Sequence, residues 1–586
     1  MIYPKIPNAQ TVIQLCKAKK IQHIVISPGS RNAPLTIGFS NDPYFKCYSI
    51  VDERCAAFFA LGLAQQLKHP TAVVCTSGSA VLNYYPAVAE AFYSDIPLIV
   101  LSADRPKHLV GIGDGQTINQ KDVFANHILY STHLKLDIKD EKNIPENEEL
   151  PIIKNLEDKL ERFLGFQKDI QTFNEEEILT AINQATLKKG PVHINIPFDE
   201  PLYETVSKLS VNPKVPDVSV KTKPIDNYIV QECFDYWNAS AKKMILVGVN
   251  HPNQIEEKWL SELSKDDSVL VLTETTSNLH HNTFFSNIDQ LISPLTDTEQ
   301  KALQPDILVT FGGLIISKKI KAFLRKFQPK HHWHIDEKSA NDTFFSLSNH
   351  IKSTPNQFFD ALLSRVTHHV KSDYYTSWEQ VKKQRFEKHQ LYLKQIPFSD
   401  FKAFEVLLST IPDYYVLQVG NSSAIRYTQL FQLNKTLKVY CNRGTSGIDG
   451  STSTAIGSAV ANEKPTVFVT GDLSFLYDSN GLWNNYIPKN FRIIVVNNGG
   501  GGIFRILPGH KNTENFDSFF ETKHNLNAKY LCKMFGFEYF SADTELQLKS
   551  KLKPFYSDSE APKLLEIFTP STINDEQLLN YFEFLK

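Results

Sequence analysis

Short, nearly continuous apolar runs recur along the whole chain and alternate with longer segments of helical periodicity. These runs, rich in β-branched residues, are IQHIVIS, TAVVCTS, IPLIVLSA, VHINIP, MILVGV, VLVLTE, DILVTFGG, HWHIDE, YYVLQVG, LKVYCN, TVFVTGD, FRIIVVNN and KLLEIFTP. Strands that are covered by helices on both sides have this composition, because both of their faces are buried. We therefore predict an α/β fold whose sheets are mostly parallel and flanked by helices.

The length of 586 residues is too great for a single hydrophobic core and indicates several domains. Residues 203–226, rich in Pro, Lys and Val without helical periodicity, are predicted to be a linker. A second, softer break runs from Ser364 to Phe398, where the charged segment TSWEQVKKQRFEKHQLYLKQ has a helical pattern. The predicted domains are 1–203, 226–364 and 390–586, with residues 137–150 as a polar, exposed insertion in the first.

The composition excludes several classes of protein. A formal net charge of -2, with 22% charged residues, offers no basic face for nucleic acid. Seven scattered cysteines without a C-x-x-C pair favour reduced, mostly buried thiols over zinc or disulfide chemistry. No apolar run approaches the ~20 residues that a membrane span needs, and the N-terminus has no secretory pattern. We expect a cytoplasmic enzyme or binding protein.

Two parts of the chain repeat the same order of elements. In the first domain, the small-residue helix AAFFALGLA precedes Pro-Thr and the strand AVVCTSGS; in the last, STAIGSAVA precedes Pro-Thr and VFVTGDLS. A duplication with a ligand held between related copies would explain the pattern. The general similarity of any two βαβ units remains an equal alternative on this pattern alone.

The segment 471–502 is the strongest indication of a functional site. Asp472 ends one predicted strand, and Asn498 follows the next strand along the chain. Their side-chain oxygens, with a main-chain carbonyl from the glycine run, most plausibly that of Gly500, suit a hard cation such as Mg²⁺. The N–H groups of Leu473 and Ser474 open a helix and could hold a phosphate. We therefore predict a metal diphosphate site.

This pattern resembles the cofactor motif of thiamine diphosphate enzymes, in which GD(G) is followed by NN. Leu473 replaces the usual third glycine after Gly471 and Asp472. The resemblance implies a pyrimidine-binding domain, a middle domain and a diphosphate-binding domain, with the first and last related.

The resemblance also implies two residues that act on the cofactor. Glu53, at the start of an apolar helix, would hydrogen-bond the aminopyrimidine; its apolar setting is expected to raise its pKa. Ile448, in the loop NRGTSGIDG, would support the bent cofactor from below. Taken alone, Glu53 would more often be a favourable partner of the helix dipole, and Ile448 a core residue.

Further loops resemble one family of these enzymes more specifically. SPGSRN, DER followed by LGLA, TSGSAVLNYYPAV, SADRP, GQTINQ, GNSSAIR, NRGTSGIDG, GDLSFLYD and NNGGGGIF are similar to segments of the 2-succinyl-5-enolpyruvyl-6-hydroxy-3-cyclohexene-1-carboxylate synthase family. The likeness runs from Ser27 to about Leu507 and is weak in the middle domain. It implies a transferase of menaquinone biosynthesis that decarboxylates 2-oxoglutarate and adds the resulting carbanion to isochorismate.

Both substrates carry two negative charges, so the site needs several fixed cations, for which arginine is suited. By the resemblance, the catalytic residues are Glu53, Arg31, Gln116, Arg426 and Arg443. The cofactor-binding residues are Glu53, Ser422, Ile448, Gly471, Asp472, Leu473, Ser474, Asn498, Gly500 and Ile503, and the metal ligands Asp472, Asn498 and Gly500. The substrate-binding residues are Ser30, Arg31, Arg105, Gln116, Asn421, Ser422, Arg426, Arg443, Phe504 and Leu507.

The implied cofactors are thiamine diphosphate and Mg²⁺ or Mn²⁺, and the implied assembly is at least a homodimer, expected to be a tetramer, with the site shared between subunits. In place of the family's basic middle-domain residue, this chain has Asn250 and His251. The alternatives are another thiamine diphosphate-dependent 2-oxoacid decarboxylase or carboligase, including one with FAD, and a non-catalytic protein on the same fold. A nicotinamide-dependent dehydrogenase is the weakest alternative, because SPGSRN lacks the glycine fingerprint of dinucleotide-binding folds.

Overall fold

The structure, a computed structural model, describes residues 2–137, 156–216, 224–506, 513 and 515–586, with residues 156–167 described only as part of a helix. The chain divides into two compact units. Unit 1 comprises residues 1–220, 452–463 and 478–487, and unit 2 comprises residues 221–451, 464–477 and 488–586.

The strands and helices are numbered in chain order. The strands are β1 (Tyr3–Pro4), β2 (His23–Ile26), β3 (Lys46–Ser49), β4 (Thr71–Cys75), β5 (Leu98–Asp104), β6 (Tyr130–His133), β7 (Val192–Pro197), β8 (Thr205–Val206), β9 (Lys243–Val247), β10 (Val269–Thr273), β11 (Ile307–Phe311), β12 (His331–Ile335), β13 (Leu347–Ile351), β14 (Val416–Val419), β15 (Lys438–Tyr440), β16 (Thr466–Gly471), β17 (Phe491–Asn497), β18 (Glu538–Ala542) and β19 (Lys563–Phe568). The helices are α1 (Pro7–Ala18), α2 (Ala33–Ser40), α3 (Glu53–Leu67), α4 (Ser79–Asn83), α5 (Tyr85–Tyr93), α6 (Leu156–Lys188), α7 (Asn227–Ala239), α8 (Glu257–Leu263), α9 (Ile288–Ile292), α10 (Asp297–Leu303), α11 (Lys318–Lys326), α12 (Pro355–Leu363), α13 (Tyr374–Leu393), α14 (Asp400–Ser409), α15 (Ser423–Thr428), α16 (Ser451–Ala461), α17 (Asp472–Tyr477), α18 (Ile503–Ile506), α19 (Lys529–Phe535), α20 (Glu545–Tyr556) and α21 (Asn574–Phe584). Short 3₁₀ turns lie at Lys107–Leu109, Ala125–His127, Thr275–Ser277 and Ser479–Leu482, and a π-helical turn at Phe516–Phe520.

Unit 1 is built on a parallel sheet with the strand order β3-β2-β4-β5-β7-β6. The residues of β4, β5 and β7 are all buried, as the apolar runs predicted for strands covered on both faces. Strands β1 and β8 form a small antiparallel ribbon beside it.

Unit 2 contains two parallel sheets. The sheet of the middle domain has the order β10-β9-β11-β12-β13, and the sheet of the last domain has the order β15-β14-β16-β17-β19-β18. When the strands of the last domain are numbered from its own first strand, the order is the same as in unit 1. Mostly parallel sheets flanked by helices and a shared topology of the first and last domains confirm the predicted fold class.

The two small-residue helices of the repeat, α3 and α16, pack together within unit 1. A Cβ atom on Gly62 would collide with the carbonyl oxygen of Thr454, and one on Gly457 would collide with that of Phe59. Glycine is needed at both positions because the helix backbones come into direct contact.

The other predicted segments have mixed outcomes. The predicted linker contains β8, and its residues 217–223 lie outside the described part of the chain. Residues 138–150 of the predicted insertion also lie outside it, whereas Asp137 is buried and accepts a hydrogen bond from the Asn8 N–H group, so the exposure predicted for it is wrong. The charged segment after the middle domain forms α13, which contributes Trp378 to the middle core and Tyr392 to the last core.

The seven cysteines are free thiols, and Cys47 alone among them is not fully buried. None of the described helices combines the length and apolar character needed to cross a bilayer.

Candidate active site

A cavity of about 170 Å³ lies in unit 2 at the carboxyl ends of β14, β16 and β17. In parallel α/β sheets, ligands bind at this end of the strands. Its lining includes the predicted site residues Asn421, Ser422, Ile448, Gly471, Asp472, Leu473, Ser474, Asn498, Gly500, Ile503 and Phe504. Segments separated by up to 80 positions in the sequence therefore contribute to one cavity.

Asp472 connects the two strand ends that carry the predicted metal ligands. Its Oδ2 atom accepts hydrogen bonds from the N–H groups of Gly499 (2.9 Å) and Gly500 (3.0 Å). Its Oδ1 atom accepts a hydrogen bond from the N–H group of Leu473 at 2.7 Å. In this structure the Leu473 N–H group, predicted to hold a phosphate, is therefore directed at the neighbouring carboxylate.

The amide of Asn498 is oriented by Asp400, a residue that the sequence pattern did not indicate. Nδ2 of Asn498 donates to Oδ2 of Asp400 at 2.9 Å, so the amide oxygen is the end that remains for a cation. Asp400 lines the same cavity and is 3% exposed. Burial raises its pKa to about 6, and the neighbouring Asp472 carboxylate adds to the increase.

The glycine run forms a tight turn beside this cavity. Gly500 has φ +155°, and a Cβ atom there would lie 2.7 Å from the carbonyl oxygen of Glu521. Its own carbonyl accepts a hydrogen bond from the N–H group of Gly502 at 3.0 Å, which leaves a second lone pair for another partner. The backbone at this position therefore requires glycine.

His524 is a second residue near the predicted ligands that the sequence did not indicate. The ring atom Nε2 of His524 lies 3.3 Å from Oδ2 of Asp472, and the main-chain N–H group of His524 donates to the carbonyl of Gly499. The interaction with Asp472 raises the pKa of His524. No sequence signal marked it, since it lies in a polar loop between short helical turns.

The described oxygens suit a hard divalent cation. Among the described residues, no group of three or more His, Cys, Asp or Glu side chains could hold a metal ion. The donors at the cavity are instead a carboxylate, an amide oxygen and a main-chain carbonyl, from Asp472, Asn498 and Gly500. Mg²⁺ and Mn²⁺ accept oxygen ligands of these kinds, so these residues fit the implied metal.

Apolar side chains form part of the same cavity. Ile448 is half-buried, and its carbonyl accepts a hydrogen bond from the Ser474 hydroxyl at 3.1 Å. Ile503 and Phe504 open α18, and Phe504 is 37% exposed. Leu507 lies outside the described residues.

Two of the predicted arginines lie close together in unit 2. Burial and the nearby Arg443 guanidinium lower the pKa of Arg426. Nη1 of Arg443 donates to Oδ1 of Asn421 at 2.8 Å, and Nη1 of Arg426 donates to the Ser422 carbonyl at 2.8 Å. Nε of Arg443 is buried and has no hydrogen-bond partner among the described residues. Two neighbouring guanidinium groups with an unused donor favour an anionic ligand.

Asn421 and Ser422 are bonded to these two arginines, Asn421 through its side chain and Ser422 through its carbonyl. The Asn421 amide group donates to the carbonyls of Asn442 and Gly447, each at 2.7 Å, which ties the loop of Arg443 to the end of β14. Ser422 has φ +68°, a conformation that is strained for a residue with a side chain and is often found at functional sites.

The middle domain places the carboxylate of Glu274 near Arg443. Glu274, whose carboxylate accepts hydrogen bonds from the N–H groups of Ile316 and Ser317, has a pKa raised by burial to about 7, and Arg443 partly opposes the increase. Asn250, which stands in place of the family's basic residue, bonds through its backbone: its N–H group donates to the Thr276 carbonyl, and its carbonyl accepts from the Asn278 amide. No motif in the sequence indicated Glu274.

Glu53 is the first residue of α3 in unit 1 and is half-buried. The residues that follow it on the helix are buried, from Cys55 to Gln65. Its carboxylate adds to burial in raising the pKa values of Cys75 and Tyr84, so it lies near the carboxyl end of β4. Asp52 caps the same helix by accepting a hydrogen bond from the Cys55 N–H group.

Arg31 follows β2 in unit 1 and is buried, whereas the neighbouring Ser30 is exposed. Its Nη1 atom donates to the carbonyl of Phe198 at 3.1 Å, and its Nη2 atom lies 3.2 Å from Oε1 of Glu200. Nε of Arg31 has no hydrogen-bond partner among the described residues. A buried donor without a partner is costly, which favours a ligand at this position.

Arg105 and Gln116 meet around Ser77 in the same unit. Nη1 of Arg105 donates to the Ser77 hydroxyl at 3.2 Å, and that hydroxyl donates to the Gln116 carbonyl at 2.9 Å. Nε of Arg105 donates to Asp114 at 2.6 Å. This contact lowers the pKa of Asp114, with a smaller contribution from Arg31, so both arginines face one carboxylate.

Three family models match the chain. They are "Thiamine pyrophosphate enzyme, N-terminal TPP binding domain" at residues 8–124, "Middle domain of thiamine pyrophosphate" at residues 214–396 and "Thiamine pyrophosphate enzyme, C-terminal TPP binding domain" at residues 418–567. The matches follow the order of domains that the motif resemblance implied.

A solved structure, benzoylformate decarboxylase from Polynucleobacter necessarius, matches with a TM-score of 0.69 and 16% identity. The match covers 97% of this chain and 99% of that chain, and supports the fold alone.

Relatives named 2-succinyl-5-enolpyruvyl-6-hydroxy-3-cyclohexene-1-carboxylate synthase align with the whole chain. Those of Flavobacterium psychrophilum and Christiangramia forsetii are each 55% identical over 583 and 591 residues, covering 100% of both chains. The one of Bacteroides thetaiotaomicron is 35% identical over 604 residues, also with full coverage. The chain therefore belongs to the 2-succinyl-5-enolpyruvyl-6-hydroxy-3-cyclohexene-1-carboxylate synthase family of thiamine pyrophosphate enzymes.

Proposed function

We propose that this protein decarboxylates 2-oxoglutarate and adds the resulting succinic semialdehyde carbanion to isochorismate, with thiamine diphosphate as cofactor. The products are 2-succinyl-5-enolpyruvyl-6-hydroxy-3-cyclohexene-1-carboxylate and carbon dioxide. The reaction is proposed as a step in the biosynthesis of menaquinone. The observation that carries the proposal is the cavity that Gly471, Asp472, Leu473, Ser474, Asn498 and Gly500 line together. Full-length relatives that bear the name of this synthase support the choice of reaction.

The last domain is proposed to hold the diphosphate end of the cofactor through Mg²⁺ or Mn²⁺. Asp472, Asn498 and Gly500 would supply oxygen ligands to the cation. Gly471, Leu473 and Ser474 would line the diphosphate, which requires the Leu473 N–H group to leave the Asp472 carboxylate. Ser422 and Ile503 would complete the cofactor contacts.

When bound, thiamine diphosphate supplies a carbon nucleophile and an electron sink for the release of carbon dioxide. Glu53 would hold a proton at N1′ of the aminopyrimidine, a role suited to a half-buried acid at the start of an apolar helix. Ile448 would support the ring from below, while Phe504 and Leu507 would exclude water from the reacting carbon.

Four arginines are proposed to bind the substrate carboxylates. Ser30, Arg31, Arg105 and Gln116 would bind isochorismate, and Asn421, Ser422, Arg426 and Arg443 would bind the part that derives from 2-oxoglutarate. The buried, unused donors on Arg31 and Arg443 support this assignment. A carboxylate can accept two hydrogen bonds from one guanidinium, which positions the substrate as well as binding it.

We also propose that the protein works as a homo-oligomer, at least a dimer and as a tetramer in its full form, in which Glu53 of one copy acts on the cofactor held by another copy. The proposed domains are 1–203, 226–364 and 390–586, and the proposed compartment is the cytoplasm.

The test is an assay with both substrates, thiamine diphosphate and Mg²⁺, in which carbon dioxide release and the coupled product are measured together. We expect product only when both substrates are present, and little turnover with pyruvate or benzoylformate as replacement for 2-oxoglutarate. Carbon dioxide release from pyruvate at a comparable rate, without a requirement for isochorismate, would instead support a different decarboxylase of the same fold.

A further inference from the structure

The two ends of the Asn498 side chain differ in what they offer a cation. The amide oxygen can be a ligand of a hard divalent ion, whereas the amide nitrogen carries two hydrogens and repels it. A rotation of the amide by half a turn would therefore replace a ligand by a donor. A hydrogen-bond partner of the amide can hold the correct orientation before the cation binds.

Asp400 provides a partner that accepts only one of these two orientations. A carboxylate accepts hydrogen bonds and cannot donate when ionised, and Oδ2 of Asp400 lies 2.9 Å from Nδ2 of Asn498. The reverse orientation would bring the amide oxygen against a carboxylate oxygen. The contact thus directs Oδ1 of Asn498 away from Asp400.

Asp400 lies at the start of α14 and is bonded to residues of two other segments. It is the first residue of α14, and its backbone N–H group donates to Oδ1 of Asn574, the first residue of α21, at 2.8 Å. Its Oδ1 atom accepts a hydrogen bond from the hydroxyl of Thr569, just after β19, at 2.5 Å. A side chain with 3% exposure and these partners has little freedom to move.

We propose that Asp400 is a positioning residue, which fixes the Asn498 amide so that its oxygen faces the divalent cation. This role rests on the proposed metal site. It is exerted through Asn498, and Asp400 is not proposed as a ligand. Partners of this kind behind a metal ligand commonly change metal affinity by about 10- to 100-fold when removed.

The test measures the affinity of the purified full-length protein for Mn²⁺, in the presence of thiamine diphosphate, by the paramagnetic resonance signal of free Mn²⁺. A second readout is the shift in melting temperature that Mn²⁺ produces. We expect Asp400→Ala to weaken Mn²⁺ binding about 10- to 100-fold and to reduce the shift accordingly.

The background Asn498→Asp separates orientation from charge. Aspartate has oxygen at both ends, so its orientation no longer matters, and Asp400→Ala should leave the affinity of this background unchanged or increase it. An equal loss in both backgrounds would overturn the proposal, because the loss would then reflect the charge of Asp400 or a general structural defect.

The exchanged pair, Asp400→Asn with Asn498→Asp, keeps the proposal testable if Asp400→Ala does not fold. It restores a donor, an acceptor and the original total charge, and we expect Mn²⁺ affinity within a few-fold of the wild type. A tenfold or greater loss in the exchanged protein would contradict the proposal.

The neighbouring pair offers a matched control. Nδ2 of Asn497 donates to Oε1 of Glu566 at 2.7 Å, so Glu566→Gln removes a buried charge nearby without touching Asn498. We expect Glu566→Gln to keep Mn²⁺ affinity within a few-fold of the wild type. A loss equal to that of Asp400→Ala would count against a specific role of Asp400. If the wild type itself shows no saturable Mn²⁺ binding, the proposed metal site fails and the inference fails with it. If the wild type binds Mn²⁺ and Asp400→Ala binds it with the same affinity, the inference alone fails.

Discussion

Nε of Arg105 donates a hydrogen bond to Oδ2 of Asp114 over 2.6 Å, in an ion pair whose acidic side chain is 40% exposed. Arg31 also acts on this carboxylate, since it contributes to the lowered pKa of Asp114. A carboxylate of the protein thus occupies Arg105, which is proposed to bind a substrate carboxylate. A substrate would have to displace it.

We expect Asp114→Asn to lower KM for isochorismate about two- to fivefold, the range that the loss of one exposed ion pair allows, with kcat maintained. Steady-state kinetics with isochorismate varied at saturating 2-oxoglutarate measures the effect. Asp122→Asn, at another exposed position of the same loop, should leave KM unchanged. A higher KM in Asp114→Asn would mean that the ion pair is needed to hold the loop in place.

Glu53→Gln should lower kcat by about 100-fold or more, because glutamine cannot exchange a proton with the cofactor and acid–base catalysis commonly contributes that much. The fold should be retained, as measured by near-UV circular dichroism and oligomer size. The adjacent Asp52→Asn is the matched control, since asparagine caps a helix as well as aspartate does. Turnover of Glu53→Gln at the wild-type rate would contradict the proposed mechanism.

Gly500→Ala should abolish most of the activity and weaken Mn²⁺ binding. The new Cβ atom would meet the Glu521 carbonyl at 2.7 Å, at a φ of +155° that side chains rarely adopt. Gly536→Ala controls for backbone strain, because Gly536 also has positive φ (+76°) but has no atom within 4 Å of the added group. The control should lose some thermal stability and keep its activity; unaltered Mn²⁺ affinity in Gly500→Ala would exclude this turn from the metal site.

Glu274 makes stability depend on pH in a defined direction. Its pKa in the folded protein is raised from an ordinary 4.5 to about 7 by burial, so folding favours its protonated form. Its contribution is complete below about pH 4.5 and is lost as the pH rises through about 7. This difference corresponds to roughly 3 kcal/mol.

Glu274→Gln does not titrate, so its apparent melting temperature relative to the wild type should rise between about pH 4.5 and 7 and then stay level. Thermal unfolding over pH 4.5 to 8.5 measures the difference. The exposed Glu257→Gln should show a constant difference over that range. A difference for Glu274→Gln that falls with rising pH would mean that the charged form is the stabilised one.

The strands buried within the sheets could be predicted from the sequence, and those at several edges could not. Every apolar run identified in the sequence overlaps a strand of the structure. Strands β1, β3, β6, β8, β13 and β18 lie outside these runs, and each lies at the edge of its sheet. Their residues are largely half-buried or exposed, since an edge strand packs against fewer neighbours, and so they lack the apolar composition on which the prediction depended.

The site residues at strand ends could be predicted because the strands that precede them could be recognised in the sequence. Asp472 and Asn498 each follow a recognisable strand, and parallel topology brings those strand ends together at one cavity. Asp400 and His524 gave no such signal. Asp400 begins a helix 98 positions before Asn498, and His524 lies in a polar loop.

The sequence by itself determined the α/β class, the repeat that relates the first and last domains, and the cofactor motif, because each is written in local composition and spacing. Only the tertiary structure decided which end of the Asn498 amide is bonded to Asp400, which carboxylate occupies Arg105, and which helices approach closely enough to require Gly62 and Gly457. These features depend on distances of a few ångströms between residues that are far apart in the chain, and no local pattern of residues encodes them.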